Sequence, residues 1–174
     1  SSAFSSTSLT GTLLLPEGLK YVAGFSGTKI TGIRFPSTLE EIGYSAFASC
    51  KSLMCEISLP SSLKKLNGRS FSDSAIKGNL VLPDNLETIG YYEFDNCFNL
   101  TGSLVIPNKV KIIPDNAFSN CGFIGTLTLP DGLTEIASSA FSGTKFKGEL
   151  NISSSVSVIG QGAFKNTLFN GTLV

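Results

Sequence analysis

Hydrophobic residues recur along this chain at fixed offsets, with an interval of 24 or 23 residues from Pro36 onward. The clearest landmark is a short alternation closed by proline: Leu13-Leu14-Leu15-Pro16, Ile33-Arg34-Phe35-Pro36, Ile57-Ser58-Leu59-Pro60, Leu80-Val81-Leu82-Pro83, Leu104-Val105-Ile106-Pro107 and Leu127-Thr128-Leu129-Pro130. Leu150-Asn151-Ile152-Ser153 continues the series with Ser in place of Pro. Counting from each Pro, position +3 holds Leu19, Leu39, Leu63, Leu86, Val110, Leu133 and Val156, and position +6 holds Val22, Ile42, Leu66, Ile89, Ile113, Ile136 and Ile159. Position +11 is Phe in six consecutive units, Phe47, Phe71, Phe94, Phe118, Phe141 and Phe164, with Phe25 in that role in a first unit two residues shorter.

Each column carries a structural expectation. Alternation in the L-x-L segment places its two flanking residues on one face and the middle residue on the other, which marks a short strand. Proline ends that strand because it has no N–H to donate to a ladder. The following L-x-x-I and A-F stretches are too short for a normal helix, so they predict a bend and then a turn of helix or 3₁₀ that inserts Phe into the core. A Gly precedes most strands, at Gly11, Gly32, Gly78, Gly102, Gly125, Gly148 and Gly171, with Cys55 filling the slot once. That pattern suggests positive φ or close contact between coils. No unit can bury its own apolar face, so units must stack. The fold class that follows is a repeat solenoid of about seven repeats, a right-handed coil with a parallel β-sheet and short helical or 3₁₀ turns, as one domain over 1–174.

Position +4 reads Lys20, Glu40, Lys64, Glu87, Lys111 and Thr134. With neighbouring coils about 4.8 Å apart, each charge would lie beside its opposite and form a surface ladder that favours correct register. Exposed pairs of this kind contribute only about 0–1 kcal/mol each.

Composition narrows the function. Thirteen basic residues balance thirteen acidic ones, so no net field draws the chain to nucleic acid or to an anionic membrane. No apolar run approaches the roughly 18 residues of a membrane-spanning helix, so this stretch is not expected to insert into a membrane. The opening Ser1-Ser2-Ala3-Phe4 has neither Met nor a signal-peptide pattern, and the expectation is a fragment of a longer protein. The absence of His removes the usual general base near neutral pH and the commonest metal ligand.

The remaining chemistry reads as structure. Cys50, Cys97 and Cys121 all occupy position +14, otherwise filled by Ser and Thr. They are read as small inward residues, with a Cys97–Cys121 bridge between adjacent units as the alternative. Too few thiols adjoin one another for a zinc site. Glu40, Glu41, Asp73, Asp84, Asp95, Asp115 and Asp131 are spread over periodic turns and read as solvated residues, not as a catalytic pair. Glycines are spread over the repeats and do not form a phosphate-cradling loop. No cofactor is expected. Sequons at Asn99, Asn151 and Asn170 permit N-glycosylation in a eukaryotic secretory route.

The consensus G-x-L-x-L/I-P-x-x-L/V-x-x-I-G-x-x-A-F-x-x-C, present in full or nearly so at Leu104 to Cys121 and Ile33 to Cys50, resembles the BspA-like leucine-rich repeat family over essentially the whole chain. Thr28, Ser74, Thr144 and Thr167 depart from it at the Cys column and Ser153 at the Pro, which leaves the fold intact but matches no single site motif. The resemblance implies a non-catalytic cell-surface or secreted module of a bacterium or a protist. Its partners would be extracellular proteins, host matrix components or neighbouring cells. A passive spacer or coat element is the competing role. Any ligand-facing surface is expected on the outward side of the strands: the middle residues Leu14, Arg34, Ser58, Val81, Val105, Thr128 and Asn151, together with Glu56, Asn79, Ser103, Thr126 and Glu149. The two Val residues would expose apolar surface in the middle of the array.

Overall fold

The L-x-L segments and the position +6 residues form two series of short parallel ladders, on different sides of a parallel β-solenoid of about seven coils. The computed structural model describes residues 3–173; Ser1, Ser2 and Val174, and the side chains of Leu173 and of Thr172 in the third sequon, lie outside that description. On the L-x-L side, Thr10–Leu14 pairs with Lys29–Arg34, Leu104–Val105 with Leu127–Thr128, and Lys147–Leu150 with Leu168–Leu173. On the other side Tyr21–Val22, Glu41–Ile42 and Lys65–Leu66 form one ladder, and Ile112–Ile113, Glu135–Ile136 and Val158–Ile159 form another. In each triplet one aliphatic residue stacks on its equivalent, as in Val22, Ile42 and Leu66.

Each coil bends after its proline because the +3 amide donates back to the carbonyl at the proline position. Leu39 does so to Pro36 at 3.2 Å and Leu86 to Pro83 at 2.9 Å. The second bend, around A-F, was expected to be a helical or 3₁₀ turn and is not: no helix of either type occurs among the described residues. Alternate amides there serve different partners. Ala46 donates to Gly43 within its own turn, whereas Ser45, Phe47 and Ser49 donate to Gly68, Ser70 and Ser72 of the next coil, at 3.0, 2.7 and 2.8 Å. An α-helix would need every amide for its own i−4 carbonyl. Here every second one is committed between coils, so no helix can propagate.

The backbone adapts by placing positions +9 and +13 in the left-handed region. Position +9 holds Ser45, Arg69, Tyr92, Asn116, Ser139 and Gly162, and +13 holds Ser49, Asp73, Asn96, Asn120, Gly143 and Asn166, all with φ between 51° and 75°. Asn, Asp and Gly tolerate this conformation best, which accounts for most of the +13 column. Arg69 and Tyr92 do not suit it, and the guanidinium lying 4.4 Å over the Tyr92 ring offsets part of the cost.

Between the two sides runs the core. Phe4, Phe25, Phe47, Phe71, Phe94, Phe118, Phe141 and Phe164 form one continuous stack, with centroids 5.0–5.7 Å apart and rings within 18° of parallel. Phe123, Phe146 and Phe169 form a second, shorter stack. Parallel displaced rings at such spacings add about 0.5–1.5 kcal/mol per pair beyond area burial. Phe94 and Phe118 are fully buried in mid-stack. Replacing either with Ala is expected to cost about 3–5 kcal/mol, because rigid neighbouring coils cannot close the cavity. Chemical denaturation of F94A and F118A measures this, and a variant as stable as the parent would contradict the stack's structural role.

Candidate functional site

All seven middle residues of the L-x-L segments, Leu14, Arg34, Ser58, Val81, Val105, Thr128 and Asn151, are exposed while their aliphatic flanks turn inward, although only Leu14, Arg34, Val105 and Thr128 lie in paired strands. Glu56, Asn79, Ser103, Thr126 and Glu149 are exposed with them. The apolar members stand well clear of the surface, with Leu14 67 %, Val81 72 % and Val105 59 % exposed. Solenoid geometry shares one face among these residues but brings only some into contact. Leu14 lies beside Arg34 and Val105 beside Thr128 in the ladders, and the Thr126 hydroxyl donates to Ser103 Oγ at 3.1 Å. Leu14 and Arg34 sit in the first two coils and Glu149 and Asn151 towards the other end, so these pairs share no local site.

The middle of the face differs from its ends. No strand is formed at 57–59 or 80–82, and there the surface opens into two shallow clefts. One, of about 430 Å³, is lined by Glu56, Ser58, Asn79, Val81 and Pro83. The other, of about 440 Å³, is lined by Asn79, Val81, Ser103 and Val105. Asn79 and Val81 belong to both, so Val81 is the apolar ridge between two polar-rimmed depressions.

The charged column forms only in part. Glu40 accepts from Lys20 at 2.7 Å and from Lys64 at 2.8 Å, and these bonds hold its carboxyl down to a pKa of about 2. A parallel rung joins Lys65 to Glu41 at 3.3 Å. Beyond Lys64 the ladder stops, with no ion pair from Glu87 to either neighbour among the described residues. Lys111 instead extends over Gly132, where a Cβ would meet its ammonium. An exposed rung contributes only about 0–1 kcal/mol, so the ladder lapses at Glu87 at little cost.

The +14 column is inward as expected, and all four cysteines are free. The buried thiols of Cys50, Cys97 and Cys121 donate to the carbonyls of Phe25, Phe71 and Phe94 in other coils, at 3.3, 3.1 and 3.1 Å. Thr28 and Thr144 hydroxyls make the corresponding bond within their own coil, to Phe25 and Phe141. Burial pushes the Cys97 thiol up to about 12 and raises Cys121 well above its ordinary value. Cys55, in the glycine slot, is only half-buried.

Sequence reasoning missed Glu93. It stands at +10, a column otherwise made of Ala46, Ser70, Ala117, Ala140 and Ala163, and the single carboxylate in a small-residue column was the available signal. Glu93 is fully buried. Its Oε2 accepts the Gly68 amide at 2.8 Å, while Oε1 has no partner. Nearby, the Gly90 and Gly68 backbones approach so closely that a Cβ on Gly90 would collide with Gly68. Desolvation is the dominant cause; it outweighs the hydrogen bond from Gly68 and raises the carboxyl to a pKa of about 8. Also unanticipated was the gathering of all four tyrosines, Tyr21, Tyr44, Tyr91 and Tyr92, in the first four coils.

With this geometry in hand, the chain matches the model of the BspA type leucine rich repeat region in six copies, over residues 1–54, 23–145 and 54–170. The chain belongs to the BspA-type leucine-rich repeat family. Among solved structures, it is similar to the T. pallidum leucine rich repeat protein TpLRR, with 28 % identity and a TM-score of 0.64 over 76 % of this chain and 62 % of that one. A leucine-rich repeat protein from Bacteroides ovatus shares the fold at 22 % identity and a TM-score of 0.57, over 86 % of this chain and 45 % of that one. The chain thus spans about half to three-fifths of the length of these neighbours. No curated protein matches it. Membership of this repeat family supports a protein-binding repeat module.

Two measurements follow for this BspA-type repeat region. Glu93 has a folded pKa of about 8, above its free value of 4.5, so its favourable contribution is complete below pH 4.5 and is lost as pH rises through 8. Stability should therefore fall across that window with a slope approaching about 1.4 kcal/mol per pH unit. E93Q, which keeps an acceptor for Gly68, should flatten the slope and be the more stable form at pH 9; equal slopes in parent and variant by urea denaturation would refute this. Thiol labelling of the native protein should modify Cys55 first and leave Cys50, Cys97 and Cys121 unreactive until denaturant is added. Rapid labelling of three or more thiols would contradict the inward column.

Proposed function

We propose that this BspA-type region is an adhesion module of a cell-surface or secreted protein, which binds extracellular proteins such as host matrix components or the surfaces of neighbouring cells through the outward side of its L-x-L segments. The observation that carries this reading is the pair of adjoining clefts that share Val81 at mid-face. Solvent-exposed apolar residues rimmed by polar ones are a common feature of protein contact sites. Glu56, Ser58, Asn79 and Ser103 supply acceptors and donors on the rim, and the Val side chains supply area that loses water on contact. A rigid solenoid presents this surface without reorganisation, which lowers the entropic cost of binding. Each module offers a shallow site, so affinity would be modest singly and raised by several copies on one surface.

Changing Val81 and Val105 together to Lys tests the reading, since both are solvent-facing and their replacement leaves the core untouched. Adhesion of beads carrying many copies to a panel of matrix proteins is expected to fall at least tenfold, with the thermal midpoint unchanged. Unaltered adhesion would remove this face as the main site. Loss of adhesion on substituting Glu40 and Lys64 instead would move the site to the charged column.

A further inference from the structure

The tyrosine corner offers a second site of different chemistry. Tyr21 and Tyr44 are 51 % and 53 % exposed and form two walls of a cleft of about 430 Å³ on the first two coils, on the side away from the L-x-L segments. Its floor is Ala23 and Gly24. Gly24 adopts a φ of 92° and carries no side chain, which keeps the floor recessed between the rings. Ser5, Ser26 and Ser45 line the rest, and Ser26 Oγ, although it donates to Ala48 at 3.1 Å, retains lone pairs for another donor. Among the described residues, no Lys, Arg, Asp or Glu lines the cleft.

The walls are braced. The Tyr21 hydroxyl lies over Gly43, where a Cβ would displace it. On the far side of Tyr44 the intervening coil has Gly68, and Tyr91 leans across that gap to within 6.1 Å of the Tyr44 ring. Tyr91 in turn packs edge-on to Tyr92, which lies under Arg69. Tyr44 is therefore supported from behind while its other side faces the cleft.

We propose that this cleft is a binding site for an uncharged sugar residue, such as a terminal neutral hexose or N-acetylhexosamine of a glycan. Three properties select that ligand class. Aromatic walls offer apolar faces to the C–H side of a pyranose ring, and serine hydroxyls both donate to and accept from sugar hydroxyls. The lack of ionic groups favours a neutral ligand over an anionic one, because a buried charge would find no partner. The volume lies at the low end of the range for small-molecule sites, about 300–1,000 Å³, and suits a compact ligand. A proline-rich peptide, the other common occupant of tyrosine-lined grooves, lies extended across successive slots. Here the contact between Tyr44 and Tyr91 over Gly68 closes off the next slot.

The test is NMR titration of the folded chain with the methyl glycosides of glucose, galactose, mannose, N-acetylglucosamine and N-acetylgalactosamine, with sialic acid and a proline-rich decapeptide as competitors in class. At least one neutral glycoside should bind, with a dissociation constant on the order of 1 mM for a single shallow slot. Shifts should be largest on the Tyr21 and Tyr44 rings and absent on Tyr92. Y21A and Y44A should each weaken binding at least tenfold, while the Val81 and Val105 double Lys variant binds as the parent does. That last arm separates this site from the adhesive face, so either can fail alone. The proposal is overturned if no neutral glycoside shifts the two tyrosines, if binding survives both Ala variants, or if only sialic acid or the peptide engages the cleft. Since the ring shifts are read on the parent, the outcome does not depend on either variant folding.

Discussion

The division of backbone amides at the A-F bend is the constraint on which the remaining structure depends. Amides at +9, +11 and +13 reach the next coil, while those at +10, +12 and +14 close the local turn, as in Phe118 to Ala140 and Cys121 to Phe118. Half the donors of the segment thus fix the distance between coils. Buried amides must be paired, and this scheme satisfies them while bending the chain sharply. It also demands left-handed residues at two places per turn, which is why Asn, Asp, Ser and Gly populate the +13 column.

Once the coil spacing is set, side chains follow. Phe rings at one offset come to lie face to face at 5.0–5.7 Å, and the space beside them admits only Ala or Ser at +10 and a small polar residue at +14. The polar +14 residues are tolerated because most find a Phe carbonyl within reach, in the same coil for Thr28 and in another for Cys97, while the Ser74 hydroxyl pairs with Cys97 Sγ at 3.7 Å. Glu93 is the one place where a larger acidic group entered the small column. It is accommodated by the glycines Gly68 and Gly90 and by its protonation near neutral pH, so the fold acquires a pH-sensitive point in its middle coils.

Function must then reside in the columns that packing leaves free. The L-x-L middle positions vary from Leu14 and Arg34 through Val81 to Asn151, whereas the inward columns barely change. The clefts flanking Val81 open where strand pairing lapses at 57–59 and 80–82, so the irregularity of the ladder, more than its regularity, gives the face its relief. The corner opposite obeys the same logic, because Gly68 between Tyr44 and Tyr91 lets two rings meet that strict repetition would hold apart.

The sequence by itself determined the period, the parallel coil, the inward columns of Leu, Ile, Phe and Cys, and the outward placement of Val81 and its equivalents. Those follow from offsets that one stacked geometry alone can satisfy, and pattern reading detects such offsets directly. Tertiary structure decided what depends on neighbours one coil away. It replaced the expected helical turn with an inter-coil ladder, because amide partners a full coil distant do not show in local propensity. It ended the charged ladder at Lys64, because the reach of a solvated side chain is not a property of its column. It also gave Glu93 an unpaired oxygen and set Tyr21 and Tyr44 around a cleft braced by Tyr91, since desolvation and ring contact arise only when residues one or two coils apart in the chain are packed together.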